Sequence, residues 1–254
     1  MIVVTGTGRS GTSLVAQTYR ELGFDPGGVW LPQYNAGYED TDIVRANASI
    51  IRDLGLTVLV ERNALEAIRR RVNDPDDPAH NRITWWLGNQ LERFGLRLLG
   101  KRPEHLDLTP WERFDEVVAA RRSDLVHLSQ RFRVAKDPQF SWTLRAWAAA
   151  GAQIDHVIVC VRNLDAVVES RFAAQQALFK TRSQAWNSFA YGLGLCMSAI
   201  YDYRLSHALV RFPDFLEEPA QLYEAMRFPE PVPFDRFMEA FSKIASPGLV
   251  HDDR

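Results

Sequence analysis

Apolar and polar positions along the chain follow two rhythms. Ile2-Val3-Val4 and Val157-Ile-Val-Cys-Val161 are continuous apolar runs. Such runs read as strands buried on both faces, because a strand with one wet face would alternate. Leu14, Val15, Thr18 and Leu22 recur at helical spacing and predict a helix over about 12–22, with Gly23 as its C-cap. Residues 25–38, rich in Pro, Gly and Asn, predict a loop, and a helix follows over about 41–54. Residues 61–130 read as mostly helical, broken at 73–78 by an Asn/Asp/Pro run. Strands are then expected over 133–136, 156–161 and 208–212, with helices over 140–150, 164–172, 183–205 and 217–226, and a terminal helix before a polar tail.

Strands alternating with helices predict an α/β fold: a central parallel β-sheet with right-handed crossovers and helices on its faces. The expected organisation is one domain over residues 1–254, with the α/β core at about 1–60 and 130–220 and a helical insertion at about 61–130. No flexible linker flanks that insertion.

Composition narrows this a little. A net charge of −2 gives no overall pull toward nucleic acid or a membrane surface, so neither is expected as a partner. No window holds about 18 uninterrupted apolar residues, so no membrane span is expected. No charged leader with a cleavage site precedes the first strand, and the two cysteines suggest neither a disulfide framework nor a zinc site. The expected compartment is the cytoplasm. His80, His105, His127, His156, His207 and His251 lack metal-ligand spacing, and His127 and His156 are read as structural.

The chemistry starts at Thr5-Gly-Thr-Gly-Arg-Ser-Gly-Thr-Ser13. Gly6-x-x-x-x-Gly11 between a strand and a helix is the first part of a phosphate-binding loop, whose backbone N–H groups cradle an anion at a helix N-terminus. A nucleotide triphosphatase has Lys next, followed by Ser or Thr. Here position 12 is Thr and the cation is Arg9, inside the loop. The second segment is Arg162-Asn-Leu-Asp-Ala-Val-Val-Glu-Ser170. P-loop phosphotransferases place a metal-holding acid near such a strand end; this chain has Arg162, which suits a second anionic group. Two anion points on one sheet edge suggest a ligand with phosphate at both ends. The alternatives at these positions are a plain glycine turn and an Arg162–Asp165 ion pair.

These residues resemble the sulfotransferase family that uses 3′-phosphoadenosine 5′-phosphosulfate (PAPS), in its bacterial branch. Residues 7–13 are similar to the family's 5′-phosphosulfate loop, and Arg162 with Ser170 eight residues later to its 3′-phosphate motif. Asn35-x-Gly-Tyr-Glu-Asp40 and Lys136-Asp-Pro138 resemble further segments. The resemblance implies a P-loop-type three-layer fold and PAPS as co-substrate, with no metal. It implies that Gly8, Arg9, Ser10, Gly11, Thr12 and Ser13 hold the 5′-phosphosulfate, and that Arg162 and Ser170 hold the 3′-phosphate. Arg9 and Lys136 are its candidates for stabilising charge on the bridging oxygen.

A Lys-Thr-His segment supplies the base in cytosolic members, and this chain has Lys136-Asp137-Pro138 there. Glu39 matches the carboxylate that other members use as base; its other role is helix N-terminal charge, with Asp40 or Thr41 as the cap. The late Arg-Lys-Gly segment that adds 3′-phosphate contacts in cytosolic members has no counterpart here. Arg211-Phe-Pro-Asp-Phe215 resembles a family segment read as structural. The acceptor implied is a hydroxyl of a small molecule, carbohydrate or lipid. Trp85, Trp86 and Trp111 in the insertion are read as core or as acceptor contacts, and Tyr34 and Tyr38, which flank Glu39, as the better candidates for acceptor contact. The rival readings are a P-loop kinase-like phosphotransferase and a non-catalytic nucleotide-binding protein.

Overall fold

A computed structural model describes residues 1–31, 36–56, 113–173 and 182–245. The chain divides into two compact units, one made of Met1–Ile50 with Asp115–Arg254, the other of Ile51–Phe114. Most of the expected insertion, including Trp85, Trp86 and Trp111, lies outside the described residues, as do Tyr34, Asn35 and the polar tail.

The first unit is built on four parallel strands: β1 (Ile2–Gly6), β4 (Val134–Lys136), β5 (His156–Val161) and β6 (His207–Arg211), in the order β4-β1-β5-β6. The two central strands are the two continuous apolar runs, as a parallel sheet covered on both faces requires. Alternation sends Ile2, Val4, Ile158, Cys160 and Val210 to one face. There they meet Leu14, Val15 and Tyr19 of helix α1 (Thr12–Glu21), and Phe237, Ala240, Phe241 and Ile244 of the last helix. That last helix, Phe234–Ile244, buries positions i, i+3, i+4 and i+7, the stripe an amphipathic helix lays on a core. The opposite face of β1 is covered by the helix Phe140–Ala149, which in turn packs on the long helix Arg182–Asp202.

Helix α2 (Thr41–Asp53) starts where Asp40 caps it: Asp40 Oδ1 accepts the amides of Asp42 (2.8 Å) and Ile43 (3.3 Å). Helix α3 spans Phe114–Arg131 and α4 is Phe140–Ala149. Helix α5 (Leu164–Ala173) is capped in the same way by Asn163, whose Oδ1 accepts the amides of Asp165 and Ala166. That cap fixes the residue next to Arg162 at the strand–helix junction. Helix α6 is Arg182–Asp202.

Two expectations need correction. Residues 25–38 are not all loop, because β2 (Trp30–Leu31) and β3 (Ala36–Gly37) form an antiparallel ladder. Two-residue strands are too short to show a period. The helix expected over 217–226 is α8 (Pro219–Ala225), starting two residues later, and a separate short helix that was not expected, α7 (Asp214–Glu217), precedes it; α9 (Phe234–Ile244) follows. Pro219 has no N–H to continue α7 and drives Glu218 to φ −122°, ψ 72°. It then serves as the first residue of α8.

His156 is structural. Its Nε2 donates to the Ala225 carbonyl (3.1 Å), so its Nδ1 accepts the Ser206 hydroxyl (2.8 Å). Burial lowers its pKa from the ordinary value of 6.5. The stability it contributes is therefore full above pH 6.5 and is lost as pH falls toward the lower folded value. The urea midpoint of His156→Gln is expected to fall less between pH 7 and pH 5 than that of the parent protein. Equal falls would contradict the neutral, doubly bonded ring.

Candidate active site

Strand order sets the place for a ligand. The chain leaves β1 for β4 on one side, then crosses back to β5 on the other. The carboxyl ends of β1 and β5 thus flank the switch point, where open α/β sheets hold their ligands. Residues 7–11 follow β1 and Arg162 follows β5, so both marked segments reach this crevice through the chain itself.

The loop is tightly built. Gly6 pairs with Cys160 at φ +145°, and a Cβ there would lie 2.0 Å from the Cys160 carbonyl oxygen. Ser10 is fully buried, and its hydroxyl donates back to the Thr7 carbonyl. Gly11, left-handed at φ 85°, is the N-cap of α1, and its carbonyl accepts the amides of Leu14 and Val15. A Cβ on Gly11 would come within 2.8 Å of Phe212. Thr12 is buried and Ser13 half-buried at the head of α1, where helix amides have no acceptor within the helix and the positive end of the dipole lies. Gly8 is buried in the same turn.

The proposed site residues gather in two groups. In the first, Arg9 Nε donates to Ser170 Oγ (3.1 Å), and Arg162 Nη1 donates to the Arg9 carbonyl (3.3 Å). Three distant positions, on the β1 loop, the end of β5 and α5, are thereby joined. The Arg162 guanidinium lies 5.2 Å from the centre of the Phe212 ring, a cation–π contact that supports its orientation. Phe212 follows β6 at the same sheet edge, so its segment is structural in a specific way: it is the floor under Arg162.

The second group surrounds Lys136, at the end of β4, which is only 1% exposed. Its ammonium donates to Glu39 Oε1 (2.6 Å), Ser13 Oγ (3.1 Å) and the Gly37 carbonyl (3.1 Å). All three of its N–H bonds are used. Ser13 Oγ also accepts the Gly37 amide (3.3 Å), so the β2–β3 ladder is tied to the head of α1. Glu39, one residue before the Asp40 cap, points to Lys136 and lies outside the helix.

Sequence reasoning did not single out Asp137 and Asn47 as site residues. Asp137 Oδ2 accepts from Asn47 Nδ2 (2.9 Å), and Asp137 Oδ1 accepts the Gln139 amide (2.9 Å). Asn47 is held in turn by Thr143 and Trp147, both donating to its Oδ1. Burial pushes the Asp137 carboxyl up to about 6, with the Glu39 charge adding to the rise. The Lys136 ammonium bonds Glu39, and its charge opposes the rise at Asp137 only weakly. The available signal was the polar Asn47 inside the apolar stripe Ile43-x-x-x-Asn47-x-x-Ile50 of α2, all three of them fully buried.

The cysteines are inert: both are free, and burial pushes both thiols up to about 12. A groove of ≈ 390 Å³ between α2 and α3, lined by Asp42, Arg45, Arg121, Asp124 and His127 among others, includes none of the residues of either group. Among the described residues no helix is long and apolar enough to cross a membrane, and no three or more His, Cys, Asp or Glu side chains gather as metal ligands would. No protein-family model, curated protein or solved structure matches the chain.

Proposed function

We propose that this protein is a sulfotransferase that moves the sulfuryl group of 3′-phosphoadenosine 5′-phosphosulfate to an acceptor hydroxyl, on a P-loop-type α/β fold. The observation that carries the reading is the convergence of Arg9, Arg162 and Ser170 beside the β1–β5 switch point, with a separate ammonium, Lys136, at the end of β4. Two cationic points on one sheet edge fit a ligand that is anionic at both ends. A kinase-like reading has less support, because Thr12 and Arg162 stand where it needs a Lys and a metal-holding acid.

In this reading the amides of Gly8, Arg9, Ser10, Gly11 and Thr12, with the hydroxyls of Thr12 and Ser13, hold the 5′-phosphosulfate at the head of α1. Arg162 and Ser170 hold the 3′-phosphate. Lys136 supplies positive charge where the sulfur–oxygen bond to the bridging oxygen breaks, because that oxygen becomes more negative as the bond lengthens. Its contact with Ser13 keeps it at the 5′ end of the site. Glu39 takes the proton of the acceptor hydroxyl as the new sulfur–oxygen bond forms, and Lys136 orients its carboxylate. The leaving product is adenosine 3′,5′-bisphosphate.

Two substitutions test these roles. Arg162→Ala is expected to weaken adenosine 3′,5′-bisphosphate binding about 10- to 100-fold, the worth of a charge-assisted hydrogen-bond pair. Unchanged affinity in a calorimetric titration would remove Arg162 from the donor site. Glu39→Gln should leave that affinity unchanged and reduce transfer at least about 100-fold. Its side-chain oxygen can still accept from Lys136, and Asp137 still supplies a counter-charge. Transfer at the parent rate, measured with any acceptor found by screening, would exclude Glu39 as the base.

A further inference from the structure

We propose that Asn47 and Asp137 are positioning residues for the proton acceptor: their hydrogen bond clamps α2 to the end of β4, and so carries Glu39 to a fixed place beside Lys136. The role of Glu39 as base rests on the sulfotransferase reading; the clamp itself does not. Lys136 and Asp137 are consecutive residues, and they grip one helix at two points. Lys136 Nζ donates to Glu39 Oε1 (2.6 Å), just before the Asp40 cap of α2. Asp137 Oδ2 accepts from Asn47 Nδ2 (2.9 Å), about 10 Å further along the helix axis. Two points of attachment fix the direction of a helix as well as its distance. With the second point released, α2 can pivot about the first, and the Glu39 carboxylate turns with it.

The clamp is anchored on a third element. Asn47 Oδ1 accepts from Thr143 Oγ1 (2.6 Å) and Trp147 Nε1 (2.8 Å), one turn apart on a single face of α4. Asp137 Oδ1 accepts the Gln139 amide (2.9 Å) at the head of α4. Asn47, Thr143, Trp147 and Asp137 are all buried. Other contacts hold α2 less specifically. Ile43 and Ile50 are buried beside Asn47, but apolar contact has no direction. The Arg131–Asp42 pair (2.8 Å) lies at the surface, where an ion pair contributes little. The polar cluster is different in kind. A slide or rotation of α2 that parts Asn47 from Asp137 leaves a buried amide and a buried carboxyl without their bond, a penalty that excludes neighbouring seatings of the helix. An amide inside the apolar stripe of α2 thus selects one seating, and that seating sets where Glu39 stands.

The test is a double-mutant cycle between Asn47 and Glu39, read as urea midpoints of the full chain. Glu39→Ala is expected to lower the midpoint less than about half as much in the Asn47→Ala background as in the parent, because Glu39 no longer meets Lys136 in one place. A pure charge effect has the opposite sign. Without its Asn47 bond the Asp137 carboxyl rises further, takes up a proton and repels Glu39 less, so that Glu39→Ala would cost more. The exchanged pair, Asn47→Asp with Asp137→Asn, can keep every bond of the cluster, the amide at 137 donating to the carboxylate at 47. It should restore the parent effect of Glu39→Ala. Should Asn47→Ala fail to unfold cooperatively, Thr143→Val removes one bond from Asn47 at nearly constant shape, and its coupling to Glu39 has the same sign. In the transfer assay Asn47→Ala should lower kcat about 10- to 100-fold, the cost of a misplaced catalytic group, and change the KM for PAPS less than about 3-fold. Additive losses, or a larger loss in the Asn47→Ala background, would overturn the proposal. So would an unchanged kcat in a protein whose Glu39→Gln variant has lost transfer. A coupled cycle with parent-rate transfer by Glu39→Gln would overturn the base and leave the clamp standing.

Discussion

Lys136→Met is expected to destabilise the protein by about 3–5 kcal/mol at pH 7, the usual cost of leaving a buried charge without its partner. Met nearly fills the space of the Lys stem, so the loss reports charge and hydrogen bonds more than a cavity. The ammonium is buried and holds three acceptors from separate elements: Glu39 before α2, Gly37 in β3 and Ser13 in α1. The substitution takes away the ammonium that Glu39 bonds and that offsets part of the repulsion between Glu39 and the buried Asp137. The double variant Lys136→Met with Glu39→Gln should regain most of the loss, because removing both members of a buried pair is often near neutral. Asp137 then loses a repulsive neighbour as well as an attractive one. Urea unfolding of the two variants measures this. A single variant within about 1 kcal/mol of the parent would mean that the ammonium is not buried among these groups.

Gly6→Ala should cost about 2–5 kcal/mol and abolish ligand binding, summing positive-φ strain of about 1–2 with overpacking of about 1–3 kcal/mol. The new Cβ would stand 2.0 Å from the Cys160 carbonyl oxygen, which belongs to the neighbouring strand and cannot turn away as a side chain could. β1 and β5 must separate at their carboxyl ends, and the separation moves the loop relative to Arg162. Gly23→Ala is the control. It also has positive φ, but nothing lies within 4 Å of its Cβ, so only the backbone cost of about 1 kcal/mol applies. Thermal unfolding of both variants separates close contact from backbone strain. Equal losses in the two would show that β1 and β5 are not in contact at Gly6.

The parts of this molecule legible in the sequence are those governed by local rules. The strand over 156–161 is readable because both of its faces are buried. Helix α1 is readable from four apolar positions and a glycine stop. Pro219 was equally visible, and its rule predicts the break between α7 and α8 that apolar spacing alone does not. The β2–β3 ladder was not legible, because its pairing depends on Ser13 and Lys136 receiving Gly37, contacts far away in sequence. The same limit applies to the site. Arg9, Arg162, Ser170, Glu39 and Lys136 could be marked singly by type and neighbourhood. Which of them meet is decided by strand order, which is not written in a local pattern. The Asn47–Asp137 bond joins α2 to the end of β4 and becomes visible only once the two are packed.

The central claim is that the crevice between β1 and β5 takes a nucleotide with phosphate at both ends. Calorimetric titration with adenosine 3′,5′-bisphosphate, set against ATP with Mg²⁺ under the same conditions, tests it most directly. Binding of the bisphosphate at least about 100-fold tighter than ATP, roughly the worth of two charge-assisted contacts to the 3′-phosphate, is the predicted result. Equal affinity, or a preference for ATP, would contradict it and put a kinase-like phosphotransferase in its place.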